Sequence, residues 1–244
     1  MFGKMTTPLW TLKNVTLRGT HRPRLNNVCC EIQPGITAVV GDSGAGKSSL
    51  LNLFVGFEHP DQGEIVCHCA ATRGQLGVYW LPPGDGLWSH LSVQQHLEIV
   101  RTPATDAGSM IDQLLTQFDL SELRRARPDD LSQGERARLA MARALASQAK
   151  VLVLDEPLVH TSILRQTNYW QWVREHAAQQ QTSLVIASHD LETIAREADQ
   201  LLILEAGQLA YSGPLEPTAR SHSSGSASEL LGRILNYRQQ HAKT

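Results

Sequence analysis

The residues best suited to chemistry form a glycine-rich stretch early in the chain, Gly41-Asp42-Ser43-Gly44-Ala45-Gly46-Lys47-Ser48. Glycines let a backbone turn tightly and approach an anion, so that successive N–H groups can point at it. Lys47 could neutralise the β- and γ-phosphates of a nucleotide, and the Ser48 hydroxyl could ligate Mg²⁺. The spacing G-x-x-x-x-G-K-S/T therefore predicts a phosphate-binding loop. The alternative is a strand-to-helix turn that binds nothing.

The sequence on either side of this stretch favours phosphate binding. The apolar run 36–40 precedes it, and Ser49 and Leu50 continue into an apolar pattern after it. A strand would thus lead into the loop, and a helix beginning near Lys47 would direct its positive end at the same anion. We expect nucleotide contacts from residues 41–48 and from Ser49.

Two carboxylates follow a second apolar run. Residues 151–154 are all apolar, which is typical of a strand buried on both faces, and Asp155 and Glu156 come directly after them. Asp155 is placed to hold Mg²⁺, and Glu156 could polarise an attacking water. With a phosphate loop upstream, this pair predicts nucleotide hydrolysis better than it predicts solvated turn charges.

A third motif, Leu131-Ser132-Gln133-Gly134-Glu135, stands between the other two along the chain. Together the three resemble ABC-transporter ATPases, whose signature reads Leu-Ser-Gly-Gly followed by Gln or Glu, and the resemblance covers about residues 9–217. It implies that Ser132 and Gly134 bind the γ-phosphate of a nucleotide held by a second subunit. A helix start at this motif would attract that anion through its N–H groups and its dipole.

A histidine after another predicted strand, 184–187, also resembles the family. It stands in Ser188-His189-Asp190. The resemblance implies that His189 contacts the γ-phosphate and keeps Glu156 and the water in register. Lys47, Glu156 and His189 would then be catalytic, with ATP and Mg²⁺ as cofactors. The implied reaction is ATP + H₂O → ADP + phosphate, in a head-to-tail homodimer or in a heterodimer with another ABC ATPase.

One departure from the family pattern concerns the cation. Leu81 stands at the end of a strand where members usually have a glutamine that reaches Mg²⁺ or its water. A leucine cannot ligate a cation. Gln75 lies on the wrong side of this strand and Asp85 comes four residues late, so neither replaces the glutamine. We expect weaker organisation of Mg²⁺ or an altered link between nucleotide and transport.

Two further departures concern the opposite subunit and the base. His160-Thr161-Ser162 stands where members have an aspartate that meets the other subunit, so communication between subunits is expected to differ. Residues 18–22 hold no aromatic side chain to stack on adenine. His21 or Arg22 is expected to stack there instead.

The bulk properties restrict the partners. The chain has 244 residues, a net charge of −2 and a pI near 6.5, which give no electrostatic case for nucleic acid. No run of about 18 apolar residues is present, and the N-terminus lacks the apolar core of a signal peptide. We expect a cytoplasmic protein that is held at the inner face of the membrane by a separate permease.

The order of apolar runs and helical patterns predicts an α/β fold. The predicted elements include strands over 28–32 and 76–81 and helices over 131–146 and 191–197. Apolar residues also stand at helical spacing at Ile111, Leu114, Leu115 and Phe118. As in the family, we expect a phosphate-loop NTPase core with a mixed or parallel sheet, an antiparallel β-subdomain and an α-helical insertion over about residues 88–130. The single ATPase domain would cover residues 1–220. A Ser-rich linker, 221–228, and a C-terminal helix, 229–244, would follow, with the helix packed on the body or on a partner.

Other functions stay open within this fold. A weakly hydrolysing regulatory subunit, paired with another ABC ATPase, is suggested by Leu81 and residues 160–162. An ABC ATPase of DNA repair or translation is the other alternative, although the chain carries neither a coiled-coil insertion nor a second cassette. Glu135 in the signature occurs in lipoprotein-releasing and macrolide-type exporters among others, which favours, weakly, an outward or extracting system.

Overall fold

A computed structural model describes residues 7–72, 74–101, 107–189 and 197–215. They fall into two compact units, the first made of Met1–His68 and Val185–Thr244 and the second of Cys69–Leu184. The predicted helix 191–197, apart from Glu197, and the predicted segments 221–228 and 229–244 lie outside the described residues. None of the helices in the described part of the chain is both long and apolar enough to cross a bilayer.

The strands and helices follow one another along the chain as an α/β protein. In chain order they are β1 (Trp10–Leu17), β2 (Leu25–Ile32), β3 (Ile36–Val40), α1 (Lys47–Phe54), β4 (Gln62–Cys67), β5 (Val78–Leu81), α2 (Val93–Val100), α3 (Ala107–Gln117), α4 (Gln133–Ala146), β6 (Val151–Asp155), α5 (Ile163–Gln180), β7 (Ser183–Ala187), β8 (Gln200–Glu205) and β9 (Gln208–Pro214). Short 3₁₀ turns at Ser121–Leu123 and Pro128–Asp130 lie between α3 and α4. The α/β fold class predicted from the sequence is confirmed.

The first unit holds an antiparallel sheet of three strands in the order β2-β1-β4. Trp10 begins the central strand, is fully buried, and pairs with Ile32 on one side and Cys67 on the other. Its indole Nε1–H donates to the Phe54 carbonyl at 3.1 Å, and the two rings lie 4.9 Å apart. Since Phe54 ends α1, this contact fixes the far end of that helix on the sheet.

The strand that leads into the glycine-rich loop is β3, and all five of its residues are buried. It pairs in parallel with β8, which in turn pairs in the antiparallel sense with β9. A strand that is buried on both faces has a largely apolar sequence, which is why β3 was predicted with its observed bounds.

The second unit combines a strand pair with a helical region. β5 and β6 run parallel, with Val78 opposite Val151 and Leu81 opposite Leu154. The apolar positions expected at helical spacing on α3 and just after it are buried, as predicted; they are Ile111, Leu114, Leu115 and Phe118. Phe118 stacks on Tyr169 at 5.5 Å, which joins this region to α5.

Some element bounds differ from the sequence prediction. β2 begins at Leu25, three residues before the predicted start at Val28, and β5 begins at Val78 instead of Leu76. α4 begins at Gln133 and not at Leu131, because Pro128–Asp130 forms a 3₁₀ turn and Ser132 caps the helix. Strand and helix ends depend on backbone hydrogen bonds that residue types alone do not specify.

Candidate functional site

The glycine-rich loop connects β3 to α1 and depends on glycine at its last turn. Gly46 has a φ of +108° and caps α1 in the left-handed region. A Cβ at this position would lie 2.6 Å from the Arg24 carbonyl oxygen, a distance no side chain tolerates. A glycine cap also brings no side-chain acceptor, so the first N–H groups of α1 remain for an anion.

Lys47 lies over this loop. Its Nζ donates to the carbonyl oxygens of Gly41 at 2.8 Å and Asp42 at 3.2 Å, which holds the ammonium group within the curve of the backbone. Ser48 follows at the start of α1 with its side chain exposed. A cation, a set of helix N–H groups and a hydroxyl therefore share one end of α1, as the motif predicts.

The loop over residues 18–24, where the adenine-stacking group was expected, borders the phosphate loop. The Arg22 guanidinium Nη2 donates to the Gly44 carbonyl at 3.5 Å. Arg22 and His21 both line an open cavity of about 850 Å³ with Arg18, Gly19, Thr20 and Arg24. Of the two candidates for stacking, the structure shows a contact with the phosphate loop for Arg22.

His189 belongs to the same unit. It follows β7 and is exposed, while the preceding Ser188 N–H donates to the Val39 carbonyl at 3.4 Å. Val39 lies in β3, so His189 emerges beside the strand that feeds the phosphate loop. The first unit thus contains the loop 41–48, Arg22 and His189.

The two carboxylates lie in the second unit, at the end of β6. Asp155 is the last strand residue and is 4% exposed, whereas Glu156 is half-buried and has a φ of +51°. A left-handed glutamate at a strand end is strained, and such strain is often found at functional positions. The turn beyond it is closed by Thr161, whose N–H and hydroxyl both donate to the Leu158 carbonyl, at 3.0 and 2.6 Å.

The signature motif forms the start of α4. Ser132 caps the helix, its Oγ accepting from the Glu135 N–H at 3.3 Å while the Glu135 carboxylate accepts from the Ser132 N–H at 2.8 Å. Hydrogen bonds from Ser132 lower the pKa of the Glu135 carboxyl. Gln133, which replaces a family glycine, is a helical residue without a positive φ, so the side chain is accommodated as expected.

Gly134 in the signature faces the turn that replaces the family's aspartate. A Cβ on Gly134 would lie 3.0 Å from the His160 carbonyl oxygen. In that turn Thr161 is buried, whereas His160 and Ser162 are exposed. The turn 160–162 therefore lies against the signature within one subunit, although the sequence offered no sign of this.

The three positions considered for the missing glutamine have other partners. Leu81 is 3% exposed, so its side chain is buried. Gln75 donates through Nε2 to the Gln148 carbonyl at 3.0 Å, and Asp85 accepts from Arg136 at 2.8 Å. Sequence reasoning missed Arg136 and the buried Arg143, because an arginine on a predicted helix carries no signal of what it binds.

Comparison with protein families identifies one match. The family model described as ABC transporter matches residues 25–159, more than half of the chain. This stretch includes the phosphate loop, the signature and the Asp155-Glu156 pair.

Two relatives illustrate the range of this family. The thiamine import ATP-binding protein ThiQ of Yersinia pestis is 31% identical over 230 residues, which cover 91% of this chain and 96% of the relative. The molybdenum import ATP-binding protein ModC of Paramagnetospirillum magneticum (strain ATCC 700264 / AMB-1) is also 31% identical, over 195 residues that cover 75% of this chain. The chain spans only about half, 54%, of that ModC.

A solved structure supports the same fold. It is the dimeric, post-hydrolysis state of an ATP-binding cassette with ADP and Pi bound, and it matches with a TM-score of 0.72. The match covers 85% of this chain and 99% of that chain at 22% identity, a level that shows the fold alone. From the family model and the ThiQ relative together, the chain belongs to the ABC-transporter family of ATP-binding proteins.

Proposed function

We propose that this chain binds Mg-ATP in the loop 41–48 and hydrolyses it to power a separate membrane permease. The observation that carries the proposal is the end of α1. There Lys47 is held over two loop carbonyls, and a glycine cap leaves the first helix N–H groups for phosphate. The remaining family motifs follow in order along the same chain.

The residues fit a magnesium ion by their chemistry. Ser48 offers a hydroxyl oxygen and Asp155 a carboxylate oxygen, and Mg²⁺ prefers such hard ligands together with water and phosphate oxygens. When bound, Mg²⁺ would neutralise charge on the phosphates. Ser48 and Asp155 would hold the ion, Gly41, Asp42, Ser43, Gly44, Ala45, Gly46 and Ser49 would contact the nucleotide, and Lys47 would stabilise negative charge on the phosphates.

Glu156 and His189 complete the catalytic group in this proposal. Glu156 would accept a proton from the attacking water, and His189 would orient both groups at the γ-phosphate. The left-handed backbone at Glu156 supports this assignment, since strained backbone of this kind clusters at functional sites.

A second subunit would complete the site with its Ser132 and Gly134. The dimeric cassette with ADP and Pi supports such an arrangement for this fold. Ser132 at the N-terminus of α4 is where a helix attracts an anion. The partner would be a second copy of this chain or another ABC ATPase.

The permease would bind this subunit at the cytoplasmic face of the membrane. Both relatives described above are import proteins, which supports import over the export suggested by Glu135. They name different cargoes, thiamine and molybdenum, at the same 31% identity, so similarity to them assigns no cargo.

A single substitution tests hydrolysis. Glu156→Gln should lower phosphate release by about 100-fold or more while ATP binding is retained, because the base is lost and the phosphate loop is intact. Glu64→Gln, an exposed glutamate on β4, is the matched control and should hydrolyse ATP like the wild type. Wild-type phosphate release that equals background, or that persists in Glu156→Gln, would contradict the proposal.

A regulatory subunit that hydrolyses little is the second candidate. It is favoured by the buried Leu81 and by the absence of an acidic residue in the turn 160–162. Such a subunit would pair with a different ABC ATPase. Phosphate release from the wild type and from Glu156→Gln separates the candidates, because a signal above background that is lost in the variant argues for the first and no such signal for the second.

A further inference from the structure

The segment between β5 and α2 is a tight turn with unusual backbone. Gly84, Asp85 and Gly86 are three consecutive residues with positive φ, +81°, +67° and +58°. Asp85 is stabilised in this conformation because its Oδ1 accepts from the Leu87 N–H at 3.0 Å. We refer to residues 82–88 as the 82–88 loop.

Arg143, from the interior of α4, binds this loop. Its Nη1 donates to the Gly86 carbonyl at 2.7 Å and its Nη2 to the Asp85 carbonyl at 2.9 Å. The guanidinium also lies 4.8 Å from the centre of the Trp88 ring, within the range of a cation–π contact. The left-handed turn is what presents two successive carbonyls to one guanidinium.

This arginine is a buried charge. It is 2% exposed, and among the described residues it forms no ion pair with a carboxylate, while its Nε has no hydrogen-bond partner in that part of the chain. Burying a cation without a counter-ion is unfavourable, so a residue chosen for stability alone would be apolar here. The groups that bind this charge are the two loop carbonyls and the Trp88 ring, and Arg143 also interacts with Tyr79.

A second arginine on the same helix binds the same loop. The Arg136 Nε donates to the Asp85 carboxylate at 2.8 Å. Arg136 and Arg143 are two helical turns apart, so both side chains project from one face of α4. Arg136 lies one turn after Ser132, the signature residue that caps this helix.

We propose that Arg136 and Arg143 are positioning residues that fasten the 82–88 loop to the signature helix, so that a displacement of the loop moves Ser132 and Gly134. This inference rests on the proposed function, because it assigns the link between loop and active site in a chain whose residue 81 cannot reach a cation. The coupling runs through α4 as a rigid element and does not need a side chain at position 81.

Hydrogen–deuterium exchange and ATPase kinetics of the full chain test this link. Arg143→Met keeps an unbranched, flexible side chain, although a shorter one, and removes both hydrogen bonds. It should raise amide exchange about 10-fold in residues 84–90 and also in residues 132–136. The kcat for ATP should fall about 10-fold with KM within about 2-fold, because the phosphate loop that first binds ATP is untouched.

The control is Arg124→Gln, which removes an exposed ion pair with Asp112 in the same unit. It should change neither exchange nor kcat. If Arg143→Met raises exchange in residues 84–90 alone, with residues 132–136 and kcat unchanged, the arginine is only a local brace and the inference is overturned.

A double-mutant cycle keeps the inference testable if Arg143→Met does not fold. Asp85→Asn preserves the acceptor for Leu87 and removes the charge, while Arg136→Gln removes the partner. Each should lower kcat about 3-fold, and the double variant should be no worse than either single one. Additive effects, or none, would overturn the inference. Absence of ATP hydrolysis in the wild type would instead refute the proposed function, and the exchange results would still report on the loop.

Discussion

The phosphate loop and the 82–88 loop are built in different ways. Each follows a strand of the α/β fold and turns through glycines with positive φ. In the phosphate loop, the bonds that place Lys47 join residues five or six positions apart. The 82–88 loop is held by arginines 51 to 58 positions away along the chain. The first loop is defined by local sequence and the second by tertiary contacts.

This difference explains why one loop follows the family pattern and the other departs from it. A backbone cradle for phosphate requires glycine at fixed positions, so few sequences form it. A loop held by long side chains of another helix can change its residues, provided that the contacts are kept. The departure at Leu81 is accompanied here by contacts of Arg136 and Arg143 with the neighbouring turn.

The largest effect is expected from a methyl group in the phosphate loop. Gly46→Ala would place Cβ 2.6 Å from the Arg24 carbonyl in a backbone with φ +108°. We expect a loss of about 3 kcal/mol or more in the free energy of unfolding and loss of measurable ATP binding, because the loop must deform. Urea unfolding and nucleotide titration measure the two effects.

The matched control is Gly44→Ala in the same loop. Gly44 also has a positive φ, +77°, but the nearest atom to its Cβ would be the Arg22 Nη2 at 3.9 Å. Gly44→Ala should therefore lower the free energy of unfolding only by the cost of placing a non-glycine residue in the left-handed region, about 1–2 kcal/mol. If both variants lose the same free energy of unfolding, left-handed strain and not the close approach to the Arg24 carbonyl determines the stability of this loop.

The difference between local and distant contacts also explains how much of the structure could be predicted from the sequence. β3, the helix start at Lys47 and a helix start at the signature were predicted, because each depends on neighbouring residues. The contact of His160 with Gly134 and the contacts of Arg143 were not predicted, since no spacing rule links a helix to a loop so far along the chain. Arg22 was one of two candidates, and its position beside Gly44 required the fold.

An intermediate effect is expected when the family glutamine is restored. Leu81→Gln would bury a carboxamide where the leucine is 3% exposed, at a cost of about 1–3 kcal/mol in the free energy of unfolding. Leu81→Met keeps an apolar side chain and should cost less than about 1.5 kcal/mol. Urea unfolding of both variants checks this order.

The catalytic consequence of Leu81→Gln is measured separately. If position 81 limits the organisation of Mg²⁺, phosphate release in this variant should reach half of its maximum at a lower Mg²⁺ concentration than in the wild type. An unchanged rate over the whole Mg²⁺ titration would show that the 82–88 loop has made this position irrelevant to the cation.

The smallest effect is expected from a change in pH. It concerns His96, which contacts Trp88 at the C-terminal end of the 82–88 loop. His96 is fully buried; its Nε2 accepts from the Trp88 backbone N–H at 2.9 Å and its Nδ1 bonds the Ser92 carbonyl at 2.8 Å. These partners assign the neutral ring with the proton on Nδ1. Burial is the largest effect and lowers the pKa of His96; the hydrogen bond with the Ser92 carbonyl raises it, the charges of Arg143 and His90 lower it, and Asp85 raises it least.

The sign of the pH dependence follows from this lowered pKa. As pH falls below about 6.5, the unfolded chain binds a proton that folded His96 does not, so stability decreases until the pH reaches the lower folded pKa. The loss has a slope of at most about 1.4 kcal/mol per pH unit for one histidine. Burial also lowers the pKa of His176, which adds a loss of stability of the same sign.

Urea unfolding at several pH values between 5 and 8 measures this dependence. His96→Gln should show a shallower slope of stability against pH than the wild type, and so should His176→Gln. His96→Gln alone should also raise amide exchange in residues 86–90, because the acceptor for the Trp88 N–H is changed. If His96→Gln keeps the wild-type slope, His96 does not contribute to the pH dependence of stability. If amide exchange in residues 86–90 is unchanged as well, the 82–88 loop is held by the arginines of α4 alone.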